Sequence, residues 1–249
     1  MKHFIIPDTQ CRPGTGTRHL TAAGNYIVDK QPEIIVHLGD HWDMRSLSDH
    51  EELLGREGLR YWADIQAGVD GMEALTAPII KHNKGRRKKY RPRMVFLIGN
   101  HEQRIERYVK KHPEAEGQFT YDHFRLREFG WQCFPFLQPV RIHGIYYAHY
   151  FYVPETGRAY GGRAPAVLNS LGFSFTAGHR QGKDIAAKSM NNGKTIRGLI
   201  AGSFYSHNEE YKGPQANDHW RGCLMKHEVR DGNYDLLELS LDYLLRAWA

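Results

Sequence analysis

Short apolar runs alternate with helical patterns in the first part of the chain. Three strands are predicted, at Phe4–Ile6, Ile34–Val36 and Met94–Ile98. Apolar residues at helical spacing predict one helix between each pair of neighbouring strands. Strands this apolar indicate a sheet covered on both faces, with ligands bound beyond the carboxyl ends of its strands. The helical stripes are Leu20, Ala23 and Ile27 in the first helix and Leu59, Trp62, Ile65, Val69 and Met72 in the second.

The second half of the chain has short apolar runs joined by turns. Asp231-Gly232-Asn233 is a hairpin signal between the predicted strands Met225–Val229 and Tyr234–Leu239. The whole pattern predicts an α/β (α+β) fold with a two-layer sheet core flanked by helices. No linker divides the chain, so residues 1–249 are expected to form a single domain. The other predicted strands are Val140–Ile142, Gly144–Tyr152, Ser174–Ala177 and Leu199–Ala201.

Composition limits the class of protein. The chain has 249 residues, of which 41% are hydrophobic, enough to bury one sizeable core. No apolar run approaches the roughly 18 residues that a membrane span needs, and the N-terminal residues do not form a signal sequence. A soluble, cytoplasmic protein without a membrane partner is therefore expected, and its oligomeric state is left open. The cysteines Cys11, Cys133 and Cys223 are far apart, which predicts reduced thiols.

Positive charge is concentrated in one segment. The formal net charge is +6, and Lys84–Arg93 has seven cationic side chains in ten residues. Gly85 and Pro92 predict that this segment, called the basic loop below, is irregular and precedes the third strand. Two interpretations stay open, a solvated loop that aids solubility and a contact surface for the phosphate backbone of nucleic acid.

Polar residues that bind metals or act as acids and bases follow five of the predicted strands. One such coincidence would carry little weight, but five in order along the chain indicate a site at one edge of the sheets. Glycine directly before three of these residues suits a sharp turn or a close approach of the backbone. The residues are Asp8, Gln10, Asp40, Asp43, Asn100, His101, His149, His179, Arg180 and Gln181.

The ordered segments PDTQ, GDHWD, GNHE, AHYF and GHRQ, which extend from Pro7 to Gln181, resemble the signature of the calcineurin-like metallophosphoesterases. That signature is D-x-H, GD-x-x-D, GNH-[DE], a single His, and GH-x-H. The resemblance implies a β-sandwich-like double sheet surrounded by helices. It also implies two divalent metal ions and hydrolysis of phosphate esters.

The resemblance assigns ligands to the two ions. Asp40 would bridge them, because one carboxylate can offer an oxygen to each. The second metal site would be completed by Asn100, His149 and His179, and the first would be formed by Asp8, Gln10 and Gln181.

Three further residues receive roles close to the reaction. His101 matches the family's non-ligating histidine, which protonates the leaving oxygen, and Asp43 is expected to orient it. Arg180 contacts either the substrate phosphate or only solvent, and the sequence leaves this open. Two ions about 3.5–4 Å apart would hold a water whose hydroxide attacks the phosphorus in line.

The chain departs from the signature at Gln10 and Gln181, which stand where the family has histidines. Both departures fall on the first metal site, whereas every ligand of the second is intact, which indicates a retuned site. An amide oxygen is a harder donor than imidazole, so Mn²⁺ is favoured, Mg²⁺ is possible, and Zn²⁺ or iron is disfavoured.

The charge of the chain and the basic loop favour a phosphodiesterase or nuclease that acts on nucleic acid. Tyrosines near His149 could also stack on bases. Two alternatives remain: a phosphomonoesterase for nucleotides or phosphoproteins, and a non-catalytic nucleic-acid-binding protein with a degraded metal centre. The tyrosines are Tyr146, Tyr147, Tyr150 and Tyr152.

Overall fold

The computed structural model describes residues 1–49, 57–208 and 218–249, whose regular elements are eleven strands and five α-helices. The helices are α1 (Arg18–Lys30), α2 (Tyr61–Asn83), α3 (Arg104–Lys111), α4 (Ala164–Leu171) and α5 (Leu241–Trp248). The strands are β1 (His3–Ile6), β2 (Ile34–His37), β3 (Arg93–Leu97), β4 (Gln132–Phe134), β5 (Val140–Ile142), β6 (Ile145–Ala148), β7 (Phe175–Ala177), β8 (Asp184–Ser189), β9 (Thr195–Ile200), β10 (Gly222–Arg230) and β11 (Asn233–Ser240).

The strands form two mixed sheets. The first has the order β11-β10-β1-β2-β3-β4, in which β1 to β4 are parallel and β10 pairs antiparallel with both β1 and β11. The second has the order β5-β6-β7-β9-β8, in which β6, β7 and β9 are parallel and the two edge strands are antiparallel to their neighbours. The expected mixture of helices and sheets is confirmed.

The sheets pack against each other through apolar side chains, and helices cover their outer faces. Ile5, Val36 and Val95 of the first sheet share one buried cluster with Ile145 and Leu199 of the second. Helices α1, α2 and α5 contribute to a second cluster on the far face of the first sheet, and α4 packs on the far face of the second. This burial of both faces explains why the central strands are almost entirely apolar.

A lysine also lies in this interior. Lys226 is fully buried, donates a hydrogen bond to the Thr176 hydroxyl, and has its ammonium nitrogen 4.8 Å and 4.2 Å from the ring centres of Tyr147 and Tyr234. Burial lowers the pKa of Lys226 well below its ordinary value, because the charged form loses its hydration. The amine is therefore a polar group tolerated inside the core.

The β10–β11 hairpin is confirmed where the sequence predicted it. Arg230 pairs with Asn233, which leaves Asp231 and Gly232 as the two turn residues. Both have positive φ, 51° and 86°, as a turn that matches the twist of two antiparallel strands requires.

The bounds of two predicted strands differ from those of the structure by four residues at one end. The strand expected at Gly144–Tyr152 ends at Ala148, because the chain leaves the sheet there and directs His149 beyond its edge. The strand expected at Leu199–Ala201 begins earlier, at Thr195. Strands β4 and β8 were not predicted, since they are edge strands whose residues are largely exposed and lack a continuous apolar run.

The stripe predicted for the second helix is wrong at its start. Leu59 precedes α2, and Trp62 has 61% of its surface exposed. Tyr61 is the aromatic residue of the first turn that is buried, and Ile65 continues the buried stripe one turn later. Because neighbouring residues on a helix point about 100° apart, Tyr61 and Trp62 cannot both face the core.

The basic loop connects α2 to β3 and is a loop, as predicted. Its residues 84–89 are exposed. The side-chain amide of Asn83 donates a hydrogen bond to the Tyr90 carbonyl and accepts one from the Tyr90 N–H, both of 2.8 Å. The Tyr90 hydroxyl donates to the carbonyl of Pro32 at 2.6 Å. Since the loop leads directly into β3, it lies at the amino ends of the parallel strands.

Two expectations from composition can be compared with the described residues. Cys11, Cys133 and Cys223 are all free thiols. Within residues 1–49, 57–208 and 218–249, no helix combines the length and the apolar character needed to cross a membrane.

Candidate metal centre

Five parallel strands bring the polar segments to one edge of the two sheets. Asp8 follows β1, Asp40 follows β2 and Asn100 follows β3, all three strands being parallel. In the second sheet His149 directly follows β6 and His179 follows its parallel neighbour β7. The carboxyl ends of parallel strands share an edge, so these segments meet although they are far apart in sequence.

Four of the predicted ligands form one cluster. Asp40, His149 and His179 each offer a ligand atom, and these atoms all lie within 4.8 Å of one another. The Asn100 amide oxygen lies 2.8 Å from Nε2 of His149 and 2.7 Å from Nδ1 of His179. The structure therefore brings together the complete ligand set expected for the second metal site.

Charge is distributed unevenly across this cluster. Burial opposes the charged form of His149, but the adjacent Asp40 carboxylate raises the pKa of His149 to about 9. Burial would likewise raise the pKa of Asp40, yet His101 and His149 hold it below its ordinary value. Burial, together with the charge on His149, lowers the pKa of His179 to about 4. The ionised form of Asp40 is thus favoured by His101 and His149, whereas burial favours the neutral form of His179.

Two buried side-chain oxygens in the segment after β1 have no hydrogen-bond partner among the described residues. They are Oδ2 of Asp8 and Oε1 of Gln10, both buried. Burial and the nearby Asp40 carboxylate raise the pKa of Asp8 to about 7. Orphaned buried acceptors are costly unless something satisfies them. A divalent cation would do so, and these donors therefore fit the first metal site.

Gln181 differs from Gln10. Its amide oxygen accepts a hydrogen bond from the Tyr205 hydroxyl at 2.7 Å, and that hydroxyl is also 3.3 Å from Nε2 of His219. The oxygen proposed to bind metal is therefore engaged by a tyrosine. The role of Gln181 as a ligand stays a prediction.

Three of the predicted ligands have strained backbone. Gln10, Asp40 and His179 have positive φ angles of 40°, 49° and 64°. Residues other than glycine rarely adopt this region and retain it only where the surroundings enforce it, which happens most often at functional sites. At Asp40 and His179 this backbone accompanies side chains that meet in the cluster.

Two glycines leave room for the carboxylates. A Cβ at Gly99 would lie 2.2 Å from Oδ1 of Asp40, and one at Gly178 would lie 2.6 Å from Oδ1 of Asp8. Any side chain at either position would collide with a predicted ligand. Close approach is therefore the physical reason for glycine before Asn100 and His179.

Glu102, the last residue of the GNHE segment, joins two loops of the site. It is fully buried, and its carboxylate accepts hydrogen bonds from the backbone N–H groups of Asp40 (2.9 Å), His41 (2.6 Å), Trp42 (2.9 Å) and Gly99 (2.8 Å). One side chain thus fixes the strained turn that carries Asp40. The motif included Glu102, but sequence reasoning gave it no role.

His101 and Asp43 contact each other beside Asp40. Nδ1 of His101 is 3.0 Å from Oδ1 of Asp43, and its Nε2 is 3.8 Å from Oδ2 of Asp40. Burial opposes protonation of His101, but the carboxylate of Asp40 and then the bond to Asp43 raise its pKa. Two arginines that sequence reasoning missed support Asp43: Arg104 donates to its carbonyl at 2.7 Å, and Arg12 lies 3.7 Å from its carboxylate.

Arg180 is exposed, and its guanidinium donates to the carbonyl of Gly162. That contact ties the segment after β7 to the loop that precedes α4. Whether Arg180 also contacts a phosphate stays open.

The four tyrosines near His149 have different environments. Tyr147 is fully buried, so its prediction as a base-stacking residue is wrong. Tyr146 packs on Phe173 with ring centres 4.4 Å apart. Tyr150 lies 4.8 Å from the ring of His179, and Tyr152 is 41% exposed. Only these last two remain candidates for a substrate contact.

A search of protein-family models with this sequence finds no match, and a search of the curated proteins finds no relative. The functional argument therefore depends on the ordered motifs and on the geometry of the cluster around Asp40.

Proposed function

We propose that the chain is a divalent-metal-dependent phosphoesterase that hydrolyses phosphodiesters, with nucleic acid as its substrate class. The proposal is carried by one observation, the convergence of Asp40, Asn100, His149 and His179 at the carboxyl ends of parallel strands. The adjacent orphaned oxygens of the first site support it. Carboxylate, amide oxygen and imidazole together are a ligand set for divalent first-row metals.

The residues present fit two ions. Asn100, His149 and His179 would hold one, Asp8 and Gln10 would hold the other, and Asp40 would serve both. Bound divalent ions supply Lewis acidity, which polarises a phosphoryl oxygen and makes a neighbouring water more acidic. The oxygen-rich character of the first site favours Mn²⁺, with Mg²⁺ next.

His101 is the proposed general acid. The carboxylates of Asp40 and Asp43 raise its pKa, which favours the protonated ring, and the Asp43 contact orients Nδ1, which leaves the Nε2–H to reach a leaving oxygen. Transfer of that proton as the ester bond breaks neutralises the departing alkoxide. Asp43 is a positioning residue, held in turn by Arg104 and Arg12.

The preference for nucleic acid is supported by charge. The net charge of +6 and the exposed basic loop attract polyanions. The loop belongs to the opposite edge of the sheet from Asp40, so it would attract a long substrate without contacting the scissile phosphate.

A matrix of metals and substrates tests the proposal. Protein stripped of metal would be supplied with Mn²⁺, Mg²⁺, Zn²⁺ or Fe²⁺ and assayed on bis-p-nitrophenyl phosphate, p-nitrophenyl phosphate and an oligonucleotide. We expect Mn²⁺ to give the highest rate, with the diesters preferred. Preference for the monoester would instead identify a phosphomonoesterase for nucleotides or phosphoproteins.

A second candidate function is supported by Gln181. Because its amide oxygen is bonded to Tyr205, the first site could be incomplete, and the chain would then bind nucleic acid without cleaving it. Retained binding of DNA, with no hydrolysis of any ester under any ion in the matrix, would favour this candidate over the enzyme.

A further inference from the structure

A cleft beside the start of α2 is separate from the metal centre. It has a volume of about 580 Å³, within the range of ligand-binding clefts, and is open to solvent. Its lining contains no acidic residue among the described ones. The side chains that matter are Arg60, Tyr61, Trp62, Gln118, Phe119 and His123.

The exposed indole of Trp62 dominates this cleft. Trp62 is 61% exposed, although a tryptophan in a helix normally buries most of its surface. The ring of His123 lies 4.6 Å from it, and Tyr61 lies 5.2 Å away. These neighbours hold the indole at the surface while most of it stays accessible. An aromatic plane fixed in this way loses little conformational entropy when it stacks on a ligand.

The neighbours of Trp62 are themselves fixed. The Tyr61 hydroxyl is 2.7 Å from Nδ1 of His123, and the ring centres of Tyr61 and Phe119 are 4.5 Å apart. Arg60 adds an exposed positive charge to the lining of the cleft. The cleft thus combines a flat aromatic surface with a cation, and no carboxylate is found among the described residues that line it.

The cleft lies on the same edge of the sheet as the metal centre. The indole N–H of Trp42, two residues after Asp40, donates to the carbonyl of Ile65 in the second turn of α2. The Trp42 ring also stacks on Phe124, with centres 4.1 Å apart, and Phe124 follows His123 in the chain. The loop that carries Asp40 is therefore linked to Trp62 through the ring contact of Trp42 with Phe124, the peptide bond from Phe124 to His123, and the ring contact of His123 with Trp62.

We propose that this cleft is a base-stacking subsite for single-stranded nucleic acid, with Trp62 as its platform and Arg60 as the contact to the adjacent phosphate. The proposal deepens the proposed function and rests on it for the nature of the substrate. Stacking on aromatic side chains together with a neighbouring cation is how single strands are bound without regard to sequence. A base paired inside a duplex has no free face to offer, so the subsite discriminates between the two forms.

Binding measured by fluorescence anisotropy tests the subsite. The full chain would be titrated, in chelator, against a labelled oligothymidylate of about a dozen nucleotides and against a duplex of equal length. Because stacking contributes about 1–3 kcal/mol per base, Trp62→Ala should weaken single-strand binding about 5- to 150-fold. Duplex binding should change much less, and Trp62→Phe should restore most of the single-strand affinity.

The matched control is Ile80→Ala, which removes another exposed apolar side chain of the same helix, 67% exposed and near its far end. That variant should bind both probes like the unaltered chain. Thermal unfolding of each variant verifies that the fold is retained.

The outcomes separate the subsite from the catalytic proposal. Equal single-strand affinity of Trp62→Ala and the unaltered chain, or an unaltered chain that does not bind the oligonucleotide, overturns the subsite. Hydrolysis of nitrophenyl esters by the unaltered chain is measured independently. If it is absent while Trp62→Ala still loses single-strand binding, the catalytic proposal fails and the subsite stands.

Discussion

The two ends of the parallel strands in the first sheet differ in almost every physical property. At the carboxyl ends, Asp8 and Asp40 are buried, and the backbone at Asp40 is strained. The ligand atoms of Asp40, His149 and His179 lie within 4.8 Å of one another there. At the amino ends, the basic loop is exposed, and no metal-ligating cluster is found there among the described residues. β3 joins the two ends and spans five residues, or about 16 Å at 3.3 Å per residue.

This difference separates two tasks. A buried cluster of carboxylates and imidazoles can bind ions and move protons, but it presents little surface to a long substrate. An exposed run of cations attracts polyanions from a distance, but it holds no group that could act as acid or base at neutral pH. Substitutions at the carboxyl ends should therefore affect catalysis, and substitutions in the basic loop should affect only the attraction of the substrate.

Asp40→Ala should have the largest effect. It removes the carboxylate shared by both proposed sites, so we expect activity to be abolished and metal content to fall sharply. Metal analysis of the purified protein and nitrophenyl diester turnover would check this. Asp29→Ala, an exposed acid at the end of α1, is the control and should retain both. Retained activity in Asp40→Ala would contradict the metal centre as proposed.

His101→Ala should retain the metals and slow the reaction. General-acid assistance contributes about 10²–10⁴-fold, so turnover of an oligonucleotide should fall by that factor. A nitrophenolate leaves readily without protonation, so the nitrophenyl diester should lose less. His112→Ala, which removes a half-exposed imidazole after α3, serves as the control. A loss below roughly tenfold on the oligonucleotide would remove His101 from the mechanism.

Glu102→Gln should weaken metal binding, because it disturbs the backbone turn that carries Asp40. The Glu102 carboxylate accepts from four N–H groups, two at each oxygen, and an amide would direct its own NH2 group at two of them. Residues that support metal ligands typically change metal affinity about 10- to 100-fold, and we expect a loss of that size by titration calorimetry. The exposed Glu114→Gln should behave like the unaltered chain. Unchanged Mn²⁺ affinity in Glu102→Gln would show that the turn holds its shape without the carboxylate.

The role of Glu102 illustrates what the sequence could not provide. Its partners Asp40, His41 and Trp42 lie about 60 residues earlier in the chain, so these hydrogen bonds form only after β2 and β3 have paired. Asp40 itself could be predicted, because an acid after a buried strand is visible in one short segment.

For the fold, too, only part of the structure could be predicted from the sequence. The central strands could be predicted because burial on both faces makes them continuously apolar, as in β1 and β2. Edge strands such as β8 are mostly exposed and have no such pattern. The exposure of Trp62 could not be anticipated either, since its spacing agrees with the buried stripe and only the packing of Tyr61 decides which ring faces the core.

Gln10→His and Gln181→His test whether these two residues are ligands of the first metal site. Imidazole is a stronger donor than an amide for zinc and iron, so the double variant should bind more tightly at the first site and prefer those metals. The single variants should differ: Gln10 has an orphaned oxygen, whereas the oxygen of Gln181 is bonded to Tyr205. We therefore expect most of the gain from Gln10→His in titration calorimetry. Unaltered first-site affinity in the double variant would exclude both residues from the coordination shell.

Alanine at Arg86, Arg87, Lys88 and Lys89 should have the smallest effect on chemistry, because these exposed residues lie at the end of β3 remote from Asp40. Each phosphate neutralised contributes about 0.9 to the slope of log affinity against log salt for duplex DNA, or about 0.7 for single strands. The variant should therefore flatten that slope by a few units and weaken DNA binding at low salt.

Turnover of the nitrophenyl diester should stay nearly unchanged in this variant, since a small ester with a single negative charge gains little from distant cations. Arg230→Ala, a 90% exposed arginine at the β10–β11 hairpin, controls for the loss of an arbitrary surface charge. If the loop variant binds DNA with an unaltered salt slope, the basic loop is only a solvated surface. The preference for nucleic acid would then lose its main support and keep only the net charge of +6.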